Sequence, residues 1–123
     1  MTSLYVAAGG ALGALARYGV TLALAAAGRS PLWATLLVNT AGGGAAGWLA
    51  IKLTWREFPP DSPWRLFFSL GFLGAFTTFS AFASEAAGLW REGRLSLLLA
   101  HGAAHYLLSL AAVLAGGWLA GRG

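Results

Sequence analysis

Cysteine is absent from this chain and charge is scarce: 10% of its 123 residues are Asp, Glu, Lys or Arg, and only four of those are acidic. Without a thiol there is no disulfide and no thiolate metal site, and the redox compartment leaves no mark on the sequence. No nucleophile, base and oxyanion donor stand together, and no glycine-rich loop has the spacing that cradles phosphate, so an enzyme is not the expectation. Proline is confined as well. Three of the four prolines are Pro59, Pro60 and Pro63, beside Asp61 in the one evident non-helical connection.

What fills the chain instead is apolar: 58% hydrophobic residues and a mean hydropathy of +0.68, outside ordinary soluble composition. Four low-charge runs, 4–28, 31–53, 66–90 and 95–121, account for nearly all of it. A helix rising about 1.5 Å per residue needs roughly 20 apolar residues to cross a hydrocarbon core of about 30 Å. The expectation is an all-α membrane protein, one domain over residues 1–123, with four transmembrane helices in the inner or plasma membrane. The first run lacks a basic n-region and continues apolar well past the length of an h-region, which reads as a retained span rather than a cleaved signal. In a soluble chain the net charge of +4 would suggest nucleic acid. Here the cations lie singly beside apolar runs, where they anchor to the interface of the lipid bilayer, so no nucleic-acid partner is expected.

The third run breaks the rules of a uniform span. It reads GFLGAFTTFSAFASE from Gly71 to Glu85, with Gly71 and Gly74 loosening the backbone and the β-branched pair Thr77 and Thr78 able to bond its own main chain. Non-helical backbone at membrane depth survives only where protein or water satisfies the freed N–H and C=O groups. A break at mid-membrane and a candidate ion site are therefore expected here. Phe79 and Phe82, at i, i+3, share a face. Such rings commonly pack, but hydroxyls adjoin these, and a phenyl edge is electropositive and able to face an anion. Glu85 reads either as part of such a site or as a carboxylate reaching for the interface.

Polar residues punctuate the other runs. Arg17 lies more than a dozen residues into the first, at a cost of about 2.5 to 3.5 kcal/mol on insertion scales, so it snorkels or faces a watery vestibule that draws anions in. Gly9 with Gly13, Gly43 with Gly47, and Gly117 with Gly121 form close-packing faces. In the second run Thr35 and Asn39 share a face at i, i+4; the amide of Asn39 is either interhelical glue or a donor to an anion. In the fourth, His101, His105 and Ser109 form one polar track at i, i+4, i+8. A zinc site on the two histidines lacks companion ligands in its helix, and a hydrogen-bonding track along a pore fits better. Protonation of either histidine near neutral pH would change how an anion occupies that track.

With four spans, Lys52, Arg56, Arg65 and Arg122 fall on one side and Arg29, Arg91 and Arg94 on the other, four against three. Orientation follows a Lys/Arg excess in short loops. Either the chain has one orientation set by other determinants, or it inserts both ways up, which permits an antiparallel homodimer about an axis in the membrane plane.

These residues, in this order and spacing, resemble the small bacterial fluoride channels of the Fluc or CrcB family. The resemblance rests on GGALGALARY, VNTAGGGAAG, GFLGAFTTFS and the EGR before the fourth run, and it covers essentially the whole length. It implies a dual-topology antiparallel homodimer with two pores that passively export fluoride against its toxicity. It also implies a structural sodium ion held by main-chain carbonyls at the third-helix break, here at Gly74 and Thr77. The fluoride path so implied takes in Phe79, Phe82, Asn39 and Arg17, the third-helix residues Thr78, Ser80, Ser84 and Glu85, and the track His101, His105 and Ser109. Gly44 stands where the family often has an aromatic, and Ala81 where it often has threonine. A rival of similar size is the dual-topology proton-coupled multidrug exporter, which wants a carboxylate in its first span where this chain has only Arg17. A structural subunit would need the glycine faces but not the aligned polar residues.

Overall fold

A computed structural model describes residues 2–54, 59 and 62–122. Its elements are α1 (Thr2–Ala26), α2 (Pro31–Thr54), the single-turn α3 (Pro63–Arg65), a π-helical segment Leu66–Leu73, the short α4 (Gly74–Phe76), α5 (Phe79–Arg91) and α6 (Leu95–Ala120). Grouped by continuity they make four helices long and apolar enough to cross a membrane, Thr2–Ala26, Pro31–Leu53, Pro63–Arg91 and Leu95–Ala120. Arg56, Pro60 and Asp61 of the expected connection lie outside the described residues. What is described of it is shorter than expected, since α2 runs to Thr54 and Pro63 already opens α3.

Two of the connections close in the same way. Gly28 and Gly93 adopt φ of 68° and 70°, and the following N–H reaches back five residues, Arg29 to Leu24 O and Arg94 to Leu89 O, at 2.9 Å each. A left-handed glycine just past the helix lets this happen without a Cβ clash and satisfies carbonyls the helix end would leave bare.

The helices associate as two parallel pairs whose backbones nearly touch. A Cβ added at Gly9 would lie 2.2 Å from Phe67 O, and one at Gly13 2.2 Å from Phe72 O, so α1 lies directly on the π-helical segment. Between α2 and α6, a Cβ at Gly47 would meet Val113 O at 2.0 Å and one at Gly116 would meet Gly44 O at 2.0 Å. Lipid tails are as apolar as leucine, so close packing and polar contacts, not hydrophobic burial, hold such pairs. In α6 the closest approach falls at Gly116. Gly117 makes only ordinary contacts and Gly121 meets nothing but its own turn, which corrects the expected packing face there.

The side chains are distributed opposite to a soluble domain. Leu4, Leu15, Leu99, Leu114, Trp90 and Tyr106 are exposed, whereas Thr35, His101 and His105 are buried. Arg122 stacks its guanidinium 3.8 Å from the Trp118 ring, and Lys52 lies 5.8 Å from that of Trp48. Both cation–aromatic pairs sit at the C-terminal ends of the parallel helices α2 and α6, as interface anchors should.

The third span yields within the expected stretch, at its threonines and not at its glycines. Gly71 and Gly74 are both helical; Gly71 is buried against Val6 O of α1, while a Cβ at Gly74 would meet nothing within 4 Å among the described residues. The break falls on the threonines, with Thr77 at φ −82°, ψ 157° and Thr78 at φ −154°, ψ 115°. The π-helical stretch before it had no signature in the sequence.

Candidate functional site: the break in the third span

Local chemistry holds this break open. Thr77 Oγ1 donates 2.9 Å back to Leu73 O, one turn earlier, and Thr78 Oγ1 accepts from Ala81 N–H at 3.2 Å as the N-cap of α5. Short hydroxyl side chains offer the backbone these alternatives to helical bonding. Asn39 completes the arrangement from α2. Its Oδ1 accepts from Thr78 N–H at 2.8 Å and its Nδ2 donates to Thr78 O at 2.9 Å, so one amide supplies the acceptor that Thr78 N–H lost and a donor to the carbonyl that opens α5. Gly42 is required beside it, because a Cβ there would lie 2.2 Å from Thr77 Cγ2. Arg17 reaches the same region from α1, its Nε donating to Ala75 O at 3.1 Å.

These bonds redirect donors that an unbroken helix would have used. Thr78 N–H, which Gly74 O would take in an i to i+4 ladder, goes to Asn39, and Ala81 N–H, which Thr77 O would take, goes to a hydroxyl. The carbonyls of Gly74 and Thr77 are thereby released from the ladder at one place.

Next to the break lies an open groove of 810 Å³ whose walls include Asn39, Thr77, Thr78, Phe79, Phe82, His105 and Ser109. Phe79 and Phe82 present their rings with centroids 5.7 Å apart, Phe79 being 78% exposed. Behind them is a buried polar cluster. Glu85 accepts from Thr35 Oγ1 at one carboxylate oxygen and from His101 Nε2 at the other, the latter at 3.1 Å. His105 Nδ1 donates to His101 O at 3.1 Å, and Phe82 lies 4.5 Å from the His105 ring and 5.4 Å from that of His101.

Most of the expected site residues thus gather on one side of the break. Ser80 is exposed, 3.3 Å from Thr78 Oγ1; Ser84 is exposed and not among the groove's lining residues. Arg17 braces the main chain at Ala75, and the Asn39 amide is largely committed to Thr78. Thr35 was not singled out as a site residue, although its i, i+4 spacing from Asn39 marked the same face; the structure places its hydroxyl on Glu85. Ser69 and Tyr106 also line the groove, and neither carried a sequence signal.

Residues 4–117 match the family described as CrcB-like protein, Camphor Resistance (CrcB). The chain belongs to the CrcB family. Among similar curated proteins, a "Fluoride-specific ion channel FluC" of Paracoccus denitrificans is 47% identical over 119 residues, covering 94% of this chain and 90% of the relative. Proteins of the same name from Koribacter versatilis and from a Caulobacter species are each 40% identical, covering 94% and 97% of this chain. A CrcB-family chain with four such helices is an integral membrane protein, and the break, the groove and the glycine-packed helix pairs all lie within the matched residues.

Proposed function

We propose that this protein is a channel, not an enzyme, that passes fluoride passively out of the cell, and that it works as an antiparallel homodimer with two pathways. The observation that carries the reading is its 40–47% identity, over nearly its whole length, to proteins named fluoride-specific channels; the polar break and groove beside it support it. Fluoride is small and strongly hydrated. A pore must replace that shell with several modest donors, since one tight charge would hold the ion and not release it. Thr78 and Ser109, the remaining Asn39 amide hydrogen, and the electropositive ring edges of Phe79 and Phe82 supply contacts of that kind beside the groove.

The sodium ion that the family resemblance implies would be held by the Gly74 and Thr77 carbonyls. Their release from the helical ladder supports that fit: oxygen donors suit a hard cation, and these two have lost the N–H groups they would otherwise accept. Bound there, the ion would supply fixed positive charge beside the groove and tie two copies together at their breaks.

The test is fluoride efflux from liposomes containing the purified protein, followed with an ion-selective electrode and with chloride as comparison. Fluoride release without chloride release is expected; drug–proton exchange with no fluoride leak would instead establish the exporter reading.

A further inference from the structure

The cluster behind the groove contains one group the channel reading leaves unexplained. His105 is only 8% exposed, and its Nε2 is shut off from solvent with no hydrogen-bond partner among the described residues. Its other nitrogen faces the carbonyl of His101, an acceptor only. Nδ1 must therefore carry a hydrogen in either charge state, and in the neutral ring Nε2 is a bare lone pair. A buried lone pair with no donor facing it is an unfavourable arrangement that one added proton converts into a donor.

The charges around it decide what that proton does. Glu85 on α5 faces the ring, as does His101 on α6, and Tyr106 of α6 lines the same groove. The stretch of α2 from Pro31 to Ile51 contains no ionisable side chain. Arg17 of α1 is engaged with Ala75 O at the break. With both imidazoles neutral and Glu85 ionised, the cluster carries one negative charge beside a path meant for an anion. A proton on His105 cancels it.

We propose that His105 links fluoride occupancy of the groove to a proton: protonated, its ring adds positive charge beside Phe82 and favours the anion, and neutral, it leaves the uncompensated Glu85 carboxylate to repel it. The inference rests on the fluoride-channel reading. Linkage is reciprocal, so bound fluoride must strengthen proton binding at His105 by the same factor.

The test uses the full-length protein in liposomes, with fluoride efflux measured from pH 5.5 to 8 and the leak of protein-free vesicles subtracted. Wild-type flux should climb as pH falls, by up to about tenfold per pH unit, the limit for a single proton. His105→Asn, which carries an amide N–H at every pH, should lose that slope. Wild-type flux constant across the window, or the wild-type slope retained in the variant, would overturn the proposal while leaving the channel reading intact. Absence of fluoride flux at every pH would overturn the channel reading itself. A second measurement needs no variant to conduct. In the wild-type protein in micelles, the imidazole nitrogen resonances of His105, assigned by comparison with His101→Asn, should titrate at higher pH when sodium fluoride replaces sodium chloride; a midpoint indifferent to the anion would overturn the proposal.

Discussion

Asn39 does for Thr78 what a neighbouring strand does in a sheet, giving one acceptor and one donor to a residue that has left its helix. Asn39→Ala strands the N–H of Thr78, whose carbonyl keeps the first bond of α5, at a cost of about 1–3 kcal/mol for a donor left unpaired. A lower melting temperature in detergent, together with reduced fluoride efflux, is the expected outcome; unchanged melting would show that water replaces the amide. Thr35 is tested by a contrasting pair. Thr35→Val removes the hydroxyl that holds one oxygen of Glu85 and should cut flux roughly tenfold, the equivalent of one weakened charge-assisted bond, while Thr35→Ser keeps the donor and most of the flux. The aromatic pair belongs at this scale too: Phe82→Ile withdraws the ring from both histidines and should lower efflux while the protein still elutes as the same species in size-exclusion chromatography.

At the level of elements, the glycines of α1, α2 and α6 set how closely helices lie. Gly47→Ala places a methyl 2.0 Å from Val113 O, which only a separation of α2 and α6 relieves. A destabilisation of about 1–3 kcal/mol is expected from such overpacking, read as a shifted thermal transition. Gly19→Ala is the control, since nothing among the described residues lies within 4 Å of the added carbon, and should melt at or above the wild type. The four long helices and the site of the break were legible in the sequence because each follows from a local property: run length, hydropathy, and two adjacent β-branched hydroxyl residues. The π-helical segment was not, because Leu66–Leu73 is nearly all apolar and its wider winding depends on how the backbone seats against α1. For the same reason the expected packing face fell on Gly117 and Gly121 and not on Gly116; register between two helices is a tertiary property that spacing within one helix does not contain. Thr35 was visible as part of a face but not as a ligand of Glu85, since that contact joins residues 50 positions apart.

For the molecule as a whole, the even division of cations across the two ends is the property to perturb. If the chain inserts both ways up, a reporter fused to its C-terminus should be active on both sides of the membrane. Arg91→Ala with Arg94→Ala should drive it to one side, because the charge bias then becomes decisive. Under the homodimer reading that variant loses efflux, and co-expression with a Lys52→Ala, Arg65→Ala, Arg122→Ala chain, which retains one cation on that side against three on the other and is biased the opposite way, should restore it. A reporter active on one side only in the wild type would refute dual insertion.

The groove beside the break is open along its flank, with the Phe79 ring projecting from its edge. Under the homodimer reading a second copy supplies the missing wall, and a lone copy should be silent, because a conduit open on one side cannot shield an ion from oil. Under conditions dilute enough for copies to part company, transport should then decline with the square of the amount loaded rather than in simple proportion.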